Sequence, residues 1–358
     1  MASFSTAMLL VGPRQFTKTR LRVPDVARGG WLAIESTAIS GVEVQAWKGI
    51  TQLVRYPLIP GHEVVGRIAA DPDGAFGLPL GTRVVVEGGI RCNECERCRN
   101  GLAVCTSRRP ANAYGRLPST EAPGLWGGFS EMMYLDPGAR VHPVSDGLPA
   151  AVTTFAHALA DARTWAVEIP NLSDGDTVLV LGPGPRGIAA TVAAREAGAS
   201  WVGVAGLGHD GDRLDLASRL GADTTIDVDR ADLASSVADS LGRRPDIVID
   251  VTSHDSEIIL QALDIVRPGG TVVLASTKGT NAIENLFSDI IVMKELTIRG
   301  AYGATSSAYD WACAHLSQDG RLDAMVTHEF PLDEADRAIL ASAGELGREE
   351  LLSVAVTL

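Results

Sequence analysis

Aromatic side chains make up only 5% of this chain, and positive charge is in the minority, with 31 Lys and Arg against 44 Asp and Glu. The net charge of −13 repels phosphate backbones over most of a folded surface, which argues against nucleic acid as a partner. No apolar run reaches the ~18–20 residues of a membrane span, and Met1–Gly12 shows no basic start followed by an apolar stretch. Neither a membrane association nor a secretory leader is read, and a cytoplasmic protein is expected. Cysteine is scarce too: there are five, and four of them (Cys92, Cys95, Cys98, Cys105) crowd together while Cys313 stands alone. A secreted disulfide framework would spread them out, whereas this crowding points to a metal.

What is present is an ordinary globular composition, 46% hydrophobic and 21% charged over 358 residues, enough for roughly two domains at about 150 residues each. Residues 1 to about 148 read as short β-rich runs broken by glycine and proline, among them "PGHEVVGRIAA" and "GTRVVVEGG". From Asp174 strand and helix alternate: "TVLVLG" with "IAATVAAREAGA", "WVGVAG" with "RLDLASRLGA", and "DIVIDVT" with "EIILQALDIV". That alternation predicts a parallel sheet covered by helices on both faces. Past about Met293 the text turns β-like again and is read as returning to the first domain.

Two constellations carry chemistry. Gly182, Gly184 and Gly187 form G-x-G-x-x-G between an apolar strand and a helix. Glycine there permits the tight turn, the close approach of a pyrophosphate and close helix packing, with the helix N-terminus facing the anion. Arg186 in the first helical turn opposes the dipole unless an anion is near, so it is read either as a phosphate contact or as a solvated arginine. The second strand ends in Gly206, where a carboxylate would select the unphosphorylated ribose. His209 and Arg213 could meet a 2′-phosphate, while Asp210 and Asp212 could reach a ribose hydroxyl, and the balance favours NADP over NAD. The other constellation, Cys92, Cys95, Cys98 and Cys105 in a polar loop, spaced C-x2-C-x2-C-x6-C, closes a tetrahedral zinc site with no open position, hence a structural zinc. An iron–sulfur cluster is the rival, but its common spacing ends differently.

Together these pieces resemble the zinc-containing medium-chain dehydrogenase/reductase family, the relatives of alcohol dehydrogenase. The likeness runs through "PGHEVVGRI", the four-cysteine lobe, "GGFSE" at Gly127–Glu131, the glycine loop and "RPGGTVVLAS". It implies an α/β protein in which a GroES-like irregular β-barrel catalytic domain (1–149 and 294–358, with a zinc lobe at 88–110) joins a Rossmann domain (150–293). It also implies an active site in the cleft between them, a small-molecule substrate, and a homodimer or homotetramer. The family's catalytic zinc usually sits on a cysteine, the histidine of "GHE" and a third residue before the Rossmann domain. Here Ser40 stands at the cysteine's place, Val42 and Gln45 stand where the proton-relay residues would be, and Ala158 or His157 falls at the third. His62 and Glu63 remain, and a rebuilt site could add His157 or Asp161. The expectation is therefore no conventional catalytic zinc, since a neutral serine is a poor ligand. Ser40, His62, Tyr56 and His157 become candidate hydrogen-bond donors, and Glu63 a partner of His62.

Three activities fit. The first is an NAD(P)(H)-dependent oxidoreductase acting on an activated C=O, C=C or C=N. The second is a zinc alcohol or polyol dehydrogenase with a rearranged ligand set. The third is a dinucleotide-binding sensor or scaffold without catalysis. Trp31, Trp47, Tyr56, Trp126 and Phe129 are read as core or rim, Cys313 as a buried small hydrophobe, and His142, His254, His315 and His328 lie in no motif.

Overall fold

A computed structural model describes residues 3–108, 112–253, 255–279, 281–347 and 351–358. The chain forms two compact units, one from Met1–His157 with Tyr309–Leu358 and the other from Ala158–Ala308. These bounds fall later in the chain than the expected 149/150 and 293/294. The physical reason at the second boundary is a strand, Thr297–Gly300, which pairs in the sheet of the second unit although its sequence reads as the start of the β-like tail.

Among the described residues, the first unit holds β1 (Ser3–Gly12), β2 (Gln15–Val23), β3 (Gly30–Ile39), β4 (Glu63–Ala70), β5 (Arg83–Val86), β6 (Met132–Leu135) and β7 (Val141–Pro143). The second contributes β8 (Thr177–Leu181), β9 (Trp201–Gly206), β10 (Thr224–Asp227), β11 (Ile247–Asp250), β12 (Thr271–Leu274) and β13 (Thr297–Gly300). Back in the first unit come β14 (His328–Pro331) and β15 (Val354–Thr357).

β1 and β2 make an antiparallel hairpin, and the main sheet of the first unit runs β14-β15-β3-β4-β5-β7 with β6 also on β3. The tail thus returns to this unit by pairing Val354–Thr357 against Ile39–Ser36. Its core gathers Trp31, Leu32, Ile34, Leu58, Val64, Phe129 and Val356. Fully burying such side chains stabilises by about 1.5–3 kcal/mol each, which fixes the register wherever one face is buried.

In the second unit the parallel order is β10-β9-β8-β11-β12-β13. Chain order reverses between β8 and β11, the topological switch point where open α/β sheets bind dinucleotides. β8 is buried along its length, as a strand covered on both faces must be. The helix Pro185–Glu196 follows it directly, with Gly184 as N-cap and Pro185 in the first turn, where its missing N–H costs nothing.

Candidate active site, metal centre and nucleotide loop

Ser40, Glu43 and His62 form a hydrogen-bonded chain. Ser40 caps the helix Gly41–Lys48 in a reciprocal capping box: its Oγ accepts from Val42 N at 3.1 Å, and Glu43 Oε2 accepts from Ser40 N at 2.9 Å and from Ser40 Oγ at 2.8 Å. The other oxygen of Glu43, Oε1, is 2.6 Å from His62 Nδ1. His62 is delivered by Gly61, whose φ of +95° and contact with Gly128 leave no room for a side chain. Gly88 lies flat against the imidazole, since a Cβ there would be 3.0 Å from His62 Cδ2. Glu63 Oε1 stands 3.8 Å from His62 Nε2, beyond hydrogen-bond reach.

The charges follow from this geometry. Burial alone would push the Glu43 carboxyl up, but the imidazolium of His62 and the hydrogen bonds from His62 and Ser40 overcome it and hold Glu43 at about 2. Burial would likewise lower His62; the charge and hydrogen bond of Glu43, with the charge of Glu63, win and raise it, against an opposing contribution from Arg116. Glu43 is 1% exposed and His62 14%, so the proton of this pair is exchanged through the imidazole. Nδ1 is engaged by the Glu43 carboxylate, which leaves Nε2 as the other nitrogen of the ring, with Glu63 Oε1 3.8 Å away.

Within the cap Ser40 Oγ donates to Glu43 and accepts from Val42 N, and a neutral serine hydroxyl is in any case a poor ligand for zinc. His157 is buried with Nδ1 3.2 Å from the Tyr309 hydroxyl, and Asp161 pairs with Arg186 at 2.8 Å. Neither is brought onto His62 by these contacts. Tyr56 donates its hydroxyl to the Ala46 carbonyl and is thereby removed from the donors considered above. Glu43, the carboxylate that joins Ser40 to His62, is a residue that the sequence reading missed, although Ser40 and Glu43 carry the Ser-x-x-Glu spacing of a capping box.

The four cysteines do assemble. Their sulfurs lie within 4.8 Å of one another, the only such group of three or more His, Cys, Asp or Glu donors among the described residues. Cys92 Sγ and Cys98 Sγ are 3.8 Å apart, which matches the edge of about 3.8 Å for thiolates in a tetrahedron about 2.3 Å from zinc. Backbone amides already point at sulfur, Cys95 N at 3.3 Å and Glu94 N at 3.4 Å from Cys92 Sγ, and Arg108 N at 3.3 Å from Cys105 Sγ. Hydrogen bonds from Thr106 and Cys98 draw the Cys95 thiol down to about 5, whereas burial pushes Cys98 up to about 11. Arginines tie the lobe to the sheet: Arg140 reaches the Cys98 carbonyl and Arg91 reaches those of Leu102 and Ala103. Arg91 is anchored on Glu87 at 2.6 Å, which also meets His142 at 3.2 Å. Cys313 is buried, its thiol pushed up to about 12, as suits an inert core residue. His254 lies outside the described residues.

In the nucleotide loop Gly182 adopts φ +105°, and a Cβ on Gly187 would stand 1.8 Å from the Gly182 carbonyl oxygen. Gly187→Ala is therefore expected to force the loop open and weaken dinucleotide binding by roughly 100-fold or more, read from nucleotide fluorescence titration. An unchanged Kd would show that this loop is not the cradle. Arg186 donates to Asp161 and lies 5.9 Å from the Trp165 ring centre, so an anion does offset its charge at the helix start. At the end of β9, Gly206 packs on Pro183. Asp210 is buried and committed to Leu207 N at 3.1 Å and to Arg213 at 3.0 Å, while His209 is 60% exposed.

Residues 31–146 match the "Alcohol dehydrogenase GroES-like domain" and residues 185–318 the "Zinc-binding dehydrogenase" domain. A Mycobacterium tuberculosis protein named "Probable alcohol dehydrogenase adh" is 36% identical over 97% of this chain and 93% of its own. The chain belongs to the zinc-type medium-chain dehydrogenase/reductase family. An erythritol/L-threitol dehydrogenase of Mycolicibacterium smegmatis is 30% identical over 95% of this chain and 94% of its own. The alcohol dehydrogenase of Thermotoga maritima superposes with a TM-score of 0.87 at 27% identity, covering 99% of each chain. This member of the family is accordingly an alcohol-dehydrogenase-like oxidoreductase acting on small molecules, with a GroES-like and a Rossmann unit. Among its described residues no helix is long and apolar enough to cross a membrane.

Proposed function

We propose that this dehydrogenase uses NADP(H) in preference to NAD(H), carries one structural zinc on Cys92, Cys95, Cys98 and Cys105, and works without a conventional catalytic zinc. It exchanges hydride with an activated C=O, C=C or C=N of a small organic substrate, in the cytoplasm and as a homodimer or homotetramer. The observation that carries this reading is the Ser40–Glu43–His62 chain, in which the serine is spent on a helix cap and a buried carboxylate holds the histidine. Bound nicotinamide supplies or accepts hydride. The protein's own part is the proton: protonated His62 aims Nε2–H at the oxygen where charge develops and releases the proton as hydride arrives. In the oxidative direction neutral His62 takes the proton from the alcohol. Glu43 orients the ring and stabilises its charged form, and Ser40 holds Glu43. The preference for the phosphorylated nucleotide rests on the exposed His209 beside the end of β9, where Gly206 supplies no carboxylate and Asp210 and Arg213 are paired with each other.

The pH profile tests this. His62 sits above its ordinary 6.5. Carbonyl reduction should be full at low pH and fall as pH rises through the raised value, and alcohol oxidation should rise over the same interval. Rates flat from roughly pH 6 to 10 in both directions would reject His62 as the proton carrier.

A further inference from the structure

A cavity of about 430 Å³ opens in the first unit, lined among others by Leu53, Arg55, Asn112, Arg116, Leu117 and Glu121. Arg116 is 8% exposed, while Arg55 and Glu121 lie at the rim with 3.9 Å between their charged groups. The segment that carries Arg116 is clamped beside His62 from two directions. A Cβ on Gly115 would stand 3.1 Å from the Gly61 backbone, and Tyr114 N donates at 2.9 Å to the carbonyl of Gly88, the residue lying against the His62 ring. The field of Arg116 is felt at the imidazole. A cavity with two arginines and one carboxylate is a local reversal of sign in a chain of net charge −13.

We propose that this cavity receives an oxyanion carried by the substrate, a carboxylate or a phosphate, with Arg116 as the residue that recognises it. Guanidinium presents a planar fork of donors matched to either anion, and its near burial strengthens the pairing. Leu53 and Leu117 give the cavity apolar lining for a carbon skeleton. The proposal rests on the oxidoreductase reading above and adds the class of substrate to it: a hydroxy acid or an alcohol phosphate, or the carbonyl compounds derived from them.

Matched pairs separate the two anions and the two propositions. With NADP+ in excess, kcat/KM is compared for 2-hydroxypropanoate against propane-1,2-diol and for glycerol 3-phosphate against glycerol, in wild type, Arg116→Gln and Arg116→Glu. Binding of propanoate and of inorganic phosphate to the protein with its nucleotide is measured alongside by calorimetry. A preference of about 10- to 100-fold for one anionic member is expected, collapsing in Arg116→Gln and reversing in Arg116→Glu. Which pair shows it decides between carboxylate and phosphate. Equal ratios in wild type and variants would overturn the proposal while turnover keeps the oxidoreductase reading intact. Arg116-dependent anion binding without turnover of any compound would uphold the cavity's role and overturn that reading. Should the Arg116 variants fail to fold, Glu121→Gln decides: removing the opposing rim carboxylate should tighten anion binding several-fold, and unchanged affinity would overturn the proposal.

Discussion

Cys95→Ser is expected to leave the protein with about one zinc fewer per chain, measured by elemental analysis on material purified without added metal. The segment from Cys92 to Cys105 holds few apolar side chains, and Cys98 alone of the four cysteines is buried, so burial cannot order it. Structural zinc contributes about 10–16 kcal/mol of apparent binding energy in isolated zinc-finger peptides, and in the proposed four-cysteine site that energy would replace the missing core. Only the share that couples to the main fold reaches the global melt, at about 2–4 °C per kcal/mol, so a fall in Tm of roughly 10 °C or more is expected, with proteolytic cleavage appearing in the lobe. Wild type holding about one zinc, and the variant none, is the outcome the proposed function requires. About two in wild type would show that His62 and its neighbours bind a second ion, and would return ordinary alcohols and polyols to the front of the substrate search.

Glu43→Ala is expected to be the most damaging single change at the proton-transfer site. Breaking a buried charge pair by removing one partner typically costs about 3–5 kcal/mol, because the remaining group is left without compensation. Here the cap of helix Gly41–Lys48 also loses the carboxylate that holds Ser40 N and Oγ. Activity should fall by roughly 100-fold or more, and the residual pH profile should move to lower pH, because His62 loses the charge that raises it. Glu43→Gln keeps the shape and should fold better while showing the same displaced profile, which a purely structural role would not produce. Stability carries a second signature. With its folded value near 2 against an ordinary 4.5, Glu43 contributes stability that is present above pH 4.5 and lost as pH falls towards 2. His62, raised when folded, contributes below its unfolded value and loses that contribution as pH climbs through the folded one. Acid titration of the variant should lack the Glu43 part of this curve. A pH profile identical to wild type would remove Glu43 from the mechanism.

Much of this molecule was legible in local sequence, because the features concerned depend on neighbours in the chain. The glycine loop is one: strand, turn and helix are consecutive, and the clash between Gly187 and Gly182 is settled within six positions. The cysteine lobe is another, since the four sulfurs converge within one short segment. The alternation of apolar strands and helices likewise announced a parallel sheet, whose order β10-β9-β8-β11-β12-β13 the fold then supplied. What only the tertiary structure decided depends on residues far apart. Ser40 read as a weak substitute for a metal ligand. Folded, it is the cap that fixes Glu43, and the partner of Glu43, His62, comes from just before β4, nineteen positions on. Asp210 read as a possible ribose contact until burial tied it to Leu207 and Arg213, and Tyr56 read as a donor until its hydroxyl met Ala46. Arg116 stood in no motif and acquires meaning only because Gly115 packs on Gly61, next to His62 in the chain, and Arg116 itself lines a cavity. Past Met293, the strand Thr297–Gly300 pairs with β12 in the sheet of the second unit, a long-range pairing that its own sequence does not announce. Residue type and spacing determined which chemistry this chain could hold; the packing of distant backbone decided which of those side chains are free to perform it, because a hydrogen bond already made inside the fold is no longer available to a substrate.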